Sequence, residues 1–386
     1  MRTRVSDRLD IEYPILAFSH CRDVVAAVTN AGGMGVLGAA FLRPDQLEVE
    51  LDWIDAHTSG RPYAVDLLFP TMQGSETADQ GHLDADEIRT LIPQKHLRFA
   101  ELLLDEFAVP PMPDGIDSAG AEGGFLQIAR NDSSGALEQF DVVFGHHQVR
   151  LIACGLGVPP QSLVVRAHDA GRLVASLIGH PSHVARQLNA GVDFLIAQGT
   201  EAGGHTGEIS TMVLIPQVVA LAGAVPVIAA GGIGSGRQIA AAIALGAEAV
   251  WCGSLWLTTE EAETAPALKA KLLAASSSDT IRSRSWSGKP MRMLRSAWPE
   301  AWERPDAPKP LPPPLQDLIA SPAQQRAARV AKAGNGGYEL TTGPVGQVIG
   351  LIDQVKPVRQ VMLDLVTDYA DVLERFARQH ADLSAE

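Results

Sequence analysis

The sequence predicts a TIM-type (β/α)8 barrel, and three observations favour this fold class. Eight short apolar segments recur before residue 253, rich in Val, Ile, Leu and Ala without alternation, as in parallel strands buried on both faces. Helical patterns separate these segments. The last two segments run into Gly-rich turns, and the loops after strands seven and eight of such barrels commonly bind one phosphate. With 386 residues and 46% hydrophobic composition, the chain can form one large barrel with an additional element.

The predicted strands and helices alternate along the chain. The strands are expected at 14–18, 35–39, 63–68, 150–154, 173–178, 193–197, 226–230 and 249–252. The helices that cover them are expected at 23–30, 44–57, 160–170, 182–189, 211–221 and 237–245. On this count the two Gly-rich turns follow strands seven and eight, as the barrel requires.

Two regions are expected to extend the barrel. The connection from about residue 70 to residue 145, between strands three and four, is much longer than an ordinary βα connection. We expect a helix near 95–107 and the third barrel helix near 136–144, with the remainder a lid or dimer contact or, alternatively, a disordered loop. The predicted domains are the barrel, 1–281, and a partly helical C-terminal extension, 282–386. The extension is expected to pack on the barrel, with a helical stretch at 345–376.

The most informative segment is the Gly-rich loop after the sixth strand, which reads Q-G-T-E-A-G-G-H over residues 198–205. Glycines permit backbone conformations and a close approach to a flat ligand that side chains would block. Catalytic residues of these barrels lie at the carboxyl ends of the strands. His205 is therefore predicted to face a ligand, with an imidazole able to titrate near neutral pH. The alternative is a Gly-rich turn with a solvated histidine.

The seventh and eighth strands end in a pattern typical of phosphate binding. Gly231 and Gly232 open a Gly-rich turn before a helix, and Gly253-Ser254 follows the next strand. Glycines let backbone N–H groups converge on an anion, and the following helix adds the positive end of its dipole. The alternative is two ordinary turns without a ligand.

These segments together resemble the nitronate monooxygenase family, formerly the 2-nitropropane dioxygenases, which includes FMN-dependent enoyl-thioester reductases and related quinone reductases. The resemblance spans most of the chain, and the loop of Gln198 to Gly207 is its most specific part. The other matching segments are 14–17, 30–38, 226–232, 246–254, 287–290 and 346–350.

The resemblance implies an FMN-binding barrel in which His205 lies over the flavin as acid/base or substrate anchor. It implies that Gly231, Gly232, Gly253 and Ser254 hold the FMN phosphate. It also implies that the flavin ring and ribityl chain are lined by Ala17, Phe18, Gln198, Gly203 and Gly204.

This chain departs from the common family pattern at three strand ends. Many members read Ala-Pro-Met-Gly after the first strand, where this chain places His20. Many place Asn at the end of strand three, where Asp66 puts an acidic group beside the flavin; Asp66 is therefore included among the cofactor-binding candidates. For both residues a solvated loop position or a strand-end cap is the alternative. After strand five, His180 and His183 are expected to be a helix start and a surface residue.

Composition limits the partners. The formal net charge of −14 opposes non-specific binding to nucleic acid. No apolar run approaches membrane-spanning length, and the N-terminus lacks a signal-peptide core. Three cysteines without metal-like spacing predict no metal site and a cytoplasmic location. We expect a small-molecule substrate, with NAD(P)H or an acyl thioester as candidate partners and a homodimer as the candidate assembly. A phosphate or thioester partner would need a local basic patch, and the densest comprises Arg282, Arg284, Lys289, Arg292 and Arg295.

Three functions agree with these observations. The first is FMN-dependent oxidation of nitronates with O2. The second is an NAD(P)H-dependent FMN reductase of an enoyl thioester or quinone. The third is a flavin-free phosphate-binding barrel isomerase that uses His205 and Asp66. A Schiff-base lyase is disfavoured because the predicted strands contain no lysine.

Overall fold

The computed structural model describes residues 1–69, 85–112, 133–334 and 336–380. The insertion segments 70–84 and 113–132 lie outside the described residues, so a lid, a dimer contact or a disordered loop there stays a prediction.

Eight parallel strands close into a barrel, which confirms the predicted fold class. The strands of the described residues are β1 (Ile15–Ser19), β2 (Met34–Gly38), β3 (Tyr63–Leu68), β4 (Val149–Gly155), β5 (Leu173–Ile178), β6 (Phe194–Gln198), β7 (Gly204–His205), β8 (Val227–Ala230), β9 (Ala249–Cys252), β10 (Thr280–Ser283) and β11 (Met291–Leu294). The barrel order is β1-β2-β3-β4-β5-β6-β8-β9, and β9 pairs with β1 to close it. All eight predicted strands overlap observed ones.

The helices also follow the predicted alternation. They are α1 (Arg4–Leu9), α2 (Arg22–Asn30), α3 (Pro44–His57), α4 (Ala85–Thr90), α5 (Gln94–Glu106), α6 (Ser133–Gly145), α7 (Gln161–Asp169), α8 (Val184–Ala190), α9 (Thr211–Ala222), α10 (Gly236–Ala244), α11 (Pro266–Leu273), α12 (Ala297–Trp302), α13 (Leu315–Lys332) and α14 (Val358–His380). Short 3₁₀ helices occupy Pro181–His183, Ser254–Thr258, Ser277–Asp279 and Gln347–Leu351. Among the described residues, no helix is long and apolar enough to cross a membrane.

Alternate strand residues separate the barrel core into an inner and an outer layer. Leu16, Ala64 and Ile228 belong to the cluster inside the barrel. Their strand neighbours pack instead with the apolar faces of the surrounding helices. This alternation follows from the two-residue period of a strand. Asp66, two residues after Ala64, therefore faces the barrel interior.

The insertion and the C-terminal extension form a second hydrophobic core together. Leu103 and Leu104 of α5 share one buried cluster with Trp298, Trp302 and residues of α13. The hydrophobic contacts therefore group α5 with the C-terminal extension. The domain boundary predicted from the sequence, between residues 281 and 282, assigns α5 to the barrel instead.

Helix α14 returns to the barrel and packs between α2 and α10. Val358, Met362 and Leu365 belong to the outer barrel cluster. A Cβ on Gly236 would lie 2.1 Å from the backbone N of Tyr369, so only glycine permits this close helix contact. The predicted helical stretch at 345–376 was thus placed too early, because Gln347–Leu351 forms only a short 3₁₀ helix. Helix α14 occupies the position of the eighth barrel helix.

Candidate functional site

A cavity of about 1180 Å³ lies at the carboxyl ends of the barrel strands. Residues from the loops after most barrel strands line one side. The C-terminal extension covers the other side with Trp286, Lys289, Met291 and Pro344. The cavity is therefore enclosed between the barrel mouth and the extension, where barrel enzymes bind their ligands.

The loop after β8 has the backbone geometry predicted for a phosphate site. Gly231 and Gly232 have positive φ angles of +103° and +69°, a conformation that L-residues with side chains rarely adopt. The backbone N–H groups of Gly232 and Gly253 donate no hydrogen bond to another described residue. Helix α10 begins four residues after Gly232, so its positive N-terminal end lies behind the loop.

The turn after β9 supplies the second part of this loop pair. A Cβ built on Gly253 would meet only Phe18, at 3.9 Å, so the space in front of this glycine belongs to the cavity. The Ser254 hydroxyl oxygen accepts a hydrogen bond from the N–H of Gly346 at 2.8 Å. Since a hydroxyl both accepts and donates, the Ser254 proton can still serve a ligand oxygen.

His205 lies at the edge of the cavity on a short antiparallel pairing between β7 and β11. Its backbone pairs with Met291, which is itself part of the cavity wall. The imidazole Nε2 is 2.7 Å from the hydroxyl oxygen of Ser287, and the tautomer decides which atom donates. Burial, followed by the nearby Lys289 ammonium, lowers the pKa of His205 to about 4. The expected titration near neutral pH is therefore wrong, because burial and the neighbouring ammonium both disfavour the charged form of the ring.

Asp66 is the second ionisable group in the cavity wall. Its side chain is 7% exposed, and its Oδ1 atom has no hydrogen-bond partner among the described residues. Burial raises the pKa of Asp66 to about 8. A buried carboxyl group without a cation holds its proton at neutral pH. Asp66 can therefore donate as well as accept a hydrogen bond inside the cavity.

Aromatic and imidazole rings form the wall after β1. Phe18 contacts His20 edge to face, with ring centroids 5.1 Å apart, and stacks on Trp251 at 6.0 Å. His20 Nδ1 lies 2.8 Å from the carbonyl oxygen of Gly38, so Nδ1 donates and Nε2 is the acceptor of the neutral ring. All three rings line the cavity. His20 is thus placed at the cavity wall and not on an outer loop.

The structure brings most of the predicted site residues to this one cavity. Phe18, Asp66, Gln198, Gly203, Gly204, His205, Gly231, Gly232, Gly253 and Ser254 all line it. Ala17 does not: its side chain is fully buried in the cluster between the barrel and its helices. The two-residue strand period explains this exception, because the neighbour of an inward-facing Phe18 must face outward.

The histidines after β5 were expected to lie outside the site, but they line the cavity with Arg186. His180 does begin the 3₁₀ helix Pro181–His183, since its ring accepts a hydrogen bond from the N–H of Ser182. Burial, followed by the charges of Arg186 and His180, lowers the pKa of His183. The strand-end position of His180 was the available signal for this placement.

The predicted basic patch is dispersed. Arg292 is buried and donates to the Thr200 carbonyl at 2.8 Å, Arg282 faces Glu208, and Arg295 pairs with Glu300 on the surface. Arg284 donates to the carbonyl oxygen of Gly288. Only Lys289 of this patch lines the cavity. Burial lowers the pKa of Lys289, and no carboxylate contributes to that shift.

The residues present fit a flavin. Gly232 and Gly253 line the cavity beside a helix N-terminus, and their N–H groups, which donate to no described residue, suit a terminal phosphate. A Cβ on Gly204 would meet no atom within 4 Å, so the backbone there leaves room for a flat ring. The unpartnered Asp66 oxygen and Gln198 provide polar contacts at the rim, as a flavin site requires.

Comparison with known proteins finds relatives of one family. The family model of nitronate monooxygenases matches residues 2–368. A Mycobacterium tuberculosis protein named as a monooxygenase is 54% identical over 374 residues, covering 97% of this chain and 98% of that protein. A Staphylococcus aureus protein named as a nitronate monooxygenase is 27% identical over 382 residues, covering 93% of this chain and 99% of its own.

Two solved structures share the fold over nearly their whole length. Nitroalkane oxidase from Streptomyces ansochromogenes has a TM-score of 0.76 and 26% identity, covering 96% of this chain and 99% of that chain. FabK from Thermotoga maritima has a TM-score of 0.71 and 27% identity, covering 98% of this chain and 99% of that chain. Since the family model matches most of the chain, the protein is an oxidoreductase of flavoenzyme type and belongs to the nitronate monooxygenase family.

Proposed function

We propose that this protein is an FMN-dependent oxidase of nitronates that uses O2. The observation that carries the proposal is the single cavity that joins His205, the two Gly-rich loops and Lys289. A nitronate is an anion, and Lys289 is a cation in the cavity wall. Burial lowers the pKa of Lys289, and no carboxylate contributes to that shift. The family match and the nitroalkane oxidase structure support the same chemistry.

The Gly-rich loops would hold the FMN phosphate. The N–H groups of Gly232 and Gly253, the hydroxyl of Ser254 and the N-terminus of α10 supply donors for an anion at one place. Phe18, Gln198, Gly203 and Gly204 would line the ring and ribityl chain, with Asp66 at the rim. Bound FMN supplies the redox chemistry, since no protein side chain accepts an electron pair reversibly in this way.

His205 would act on the substrate side of the flavin. With its pKa lowered to about 4, its ring is neutral at physiological pH. A neutral imidazole can accept a proton from a substrate or donate a hydrogen bond to an oxygen. Ser287 fixes the orientation of the ring through Nε2. Lys289 would hold the anionic nitronate oxygens beside it.

A reductase is the second candidate function, and the cavity favours it by size. The volume of about 1180 Å³ exceeds the range of about 300–1,000 Å³ common for ligand pockets. A second large ligand, such as NAD(P)H with an enoyl thioester or quinone acceptor, would use this space. The similarity to FabK points the same way. A flavin-free isomerase is disfavoured by the family match.

One experiment separates these functions. The purified protein would be loaded with FMN and mixed under anaerobic conditions with propyl-2-nitronate, NADH or NADPH in a stopped-flow spectrometer. We expect rapid bleaching of the flavin absorbance by the nitronate and recovery when O2 is added. Rapid bleaching by NADH or NADPH alone would replace the oxidase by the reductase. Protein that takes up no FMN would contradict both functions.

A further inference from the structure

A second cluster of ligand-type side chains lies away from the cavity, on the outer surface of α3. Glu48 and Asp52 are one helical turn apart on that helix, so their side chains share a face. His146 follows α6 and approaches the same face. One ligand atom from each of the three residues lies within 4.8 Å of the other two. None of the three lines the cavity.

His146 is held in the orientation that a metal ligand needs. Its side chain is buried, with the residue 4% exposed, and its Nδ1 atom lies 2.7 Å from Asp55 Oδ2. The hydroxyl of Tyr63 donates to the other oxygen of Asp55 at 2.9 Å and fixes this carboxylate. Metal-binding histidines typically donate their second N–H to such a carboxylate, which sets the tautomer and the ring orientation.

Among the described residues, the remaining ring nitrogen has no hydrogen-bond partner. The Nε2 atom of His146 is buried and unsatisfied, and it lies 3.7 Å from Glu48 Oε2. With a proton on Nδ1, Nε2 carries a lone pair that faces two carboxylates. A ring nitrogen with a lone pair that faces carboxylate oxygens is unfavourable, because both groups only accept hydrogen bonds. A cation or a proton between them removes this conflict. Glu48 and Asp52 also repel each other as like charges at i and i+4.

We propose that Glu48, Asp52 and His146 bind a divalent transition-metal ion of the Zn²⁺ class. Imidazole with carboxylate oxygens suits this class better than Mg²⁺ or Ca²⁺, which prefer oxygen alone. Zn–N and Zn–O bonds of about 2.0–2.2 Å require the ligand atoms to approach somewhat closer than they do here. Glu48 and Asp52 are exposed and can turn toward the fixed imidazole. Water would complete the coordination.

Metal binding at this place would join two separate parts of the chain. Glu48 and Asp52 belong to α3, whereas His146 lies in the turn before β4. The ion would therefore fasten α3 to the α6–β4 turn and stabilise this side of the barrel. The proposal does not depend on the flavin or on the catalysed reaction.

The test uses the full-length protein, first treated with a chelator and then titrated with Zn²⁺ against a chromophoric competitor. We expect one tight site and a rise in the melting temperature on adding Zn²⁺. The double variant Glu48→Gln/Asp52→Asn should bind Zn²⁺ at least tenfold more weakly and lose that rise. Asp55→Asn should weaken binding by about 10- to 100-fold, the usual cost of losing an outer carboxylate. Glu50→Gln is the matched control, because Glu50 lies on the same helix but faces Arg22.

The double variant changes exposed side chains only, so its fold should be kept, and circular dichroism verifies this. Equal Zn²⁺ affinity of the double variant and the wild type would assign binding to other histidines, such as His180 and His183, and overturn the proposal. The absence of any micromolar site in the wild type would also overturn it. In that case His146 would contact Asp55 and Glu48 without a metal.

Discussion

His205 and Asp66, two ionisable groups in the cavity wall, differ in how they are kept uncharged. His205 lies in a wall assembled from the loop after β6 and from the C-terminal extension, and its ring contacts Ser287. Asp66 lies on β3 alone, and its Oδ1 atom contacts no hydrogen-bond partner in the described part of the chain. Burial is the main cause of both pKa shifts, to about 4 for His205 and about 8 for Asp66.

This difference teaches that one physical cause gives two opposite dependences on pH. Desolvation disfavours the charged form, so it lowers the pKa of a base and raises the pKa of an acid. At neutral pH both groups are therefore neutral. His205 resists protonation as the pH falls, whereas Asp66 resists ionisation as the pH rises. Neither His205 nor Asp66 therefore adds a charge to the cavity, and the charge beside His205 comes from the Lys289 ammonium.

The largest effect is expected for His205→Ala. A positioned acid/base contributes about 10²- to 10⁴-fold to the rate, so nitronate turnover should fall by that factor while FMN content stays the same. The kcat/KM profile of the wild type should fall below about pH 4, where the ring becomes protonated, and this limb should vanish in the variant. Steady-state kinetics at equal flavin content measure both effects. Near-wild-type turnover would move the search to His20 and Asp66.

Asp66→Asn should change the dependence of stability on pH. The pKa of Asp66 is about 8 in the folded state, above the ordinary aspartate value of 3.8, so the folded protein binds the extra proton. The free energy of unfolding should therefore fall as the pH rises from about 4 to 8, by up to about 1.4 kcal/mol per pH unit from this group. His205 acts in the opposite direction below pH 6.5, because its folded-state pKa is lowered. Urea unfolding at pH 6.5, 7.0 and 7.5 measures the change of the unfolding free energy with pH in the range where Asp66 contributes and His205 does not.

In that pH window the asparagine variant should show a shallower slope than the wild type. His205→Asn is the control, since its effect should appear only between about pH 4 and 6.5. Identical slopes for wild type and Asp66→Asn would mean that Asp66 is ionised in the folded protein.

A smaller effect is expected for Ser287→Ala. The variant removes one hydrogen bond to His205, and such bonds contribute about 0.5–1.5 kcal/mol. Turnover should fall roughly 2- to 10-fold, with the acidic limb of the pH profile displaced. Ser285→Ala is a suitable control, because Ser285 is equally buried on the same segment but its hydroxyl faces Met293. Equal losses in both variants would indicate a general packing effect.

The smallest effect is expected for Lys289→Gln. It concerns the acidic limb of the kcat/KM profile. The Lys289 ammonium contributes to the lowered pKa of His205, second to burial. Without it the pKa should rise and the limb should move to higher pH, while Lys289→Arg, which keeps the charge, should leave the limb in place. A matching rise in KM for the nitronate would support its role in binding the anion. An unmoved limb in the glutamine variant would show that burial alone sets the pKa.

Much of the barrel could be predicted from the sequence because it depends on local patterns. Strands such as β8 and β9 are continuous apolar runs, and α3 begins and ends where the sequence pattern places it. The positive φ angles of Gly231 and Gly232 likewise follow from the residue type. These features need no knowledge of distant contacts.

The rest depended on contacts between segments far apart in the sequence. Ser287 reaches His205 only because β11 pairs with β7, and no periodicity reports such a pairing. The lowered pKa of His205 follows from burial and from Lys289, which is distant in sequence, so the sequence alone favoured an ordinary histidine. Ala17 was misplaced for a different reason: strand period assigns it and Phe18 to opposite faces, and the resemblance to a family does not.

Helix α14 has a consequence for the order in which the protein folds during synthesis. The last barrel strand, β9, ends at Cys252, but the helix that covers it beside α2 begins at Val358. More than one hundred residues, which include the C-terminal part of the second core, are therefore translated between the eighth strand and its helix. Contacts that distant in sequence slow folding. While the ribosome synthesises the extension, the nascent barrel exposes an apolar groove between α2 and α10, which is where a chaperone would bind.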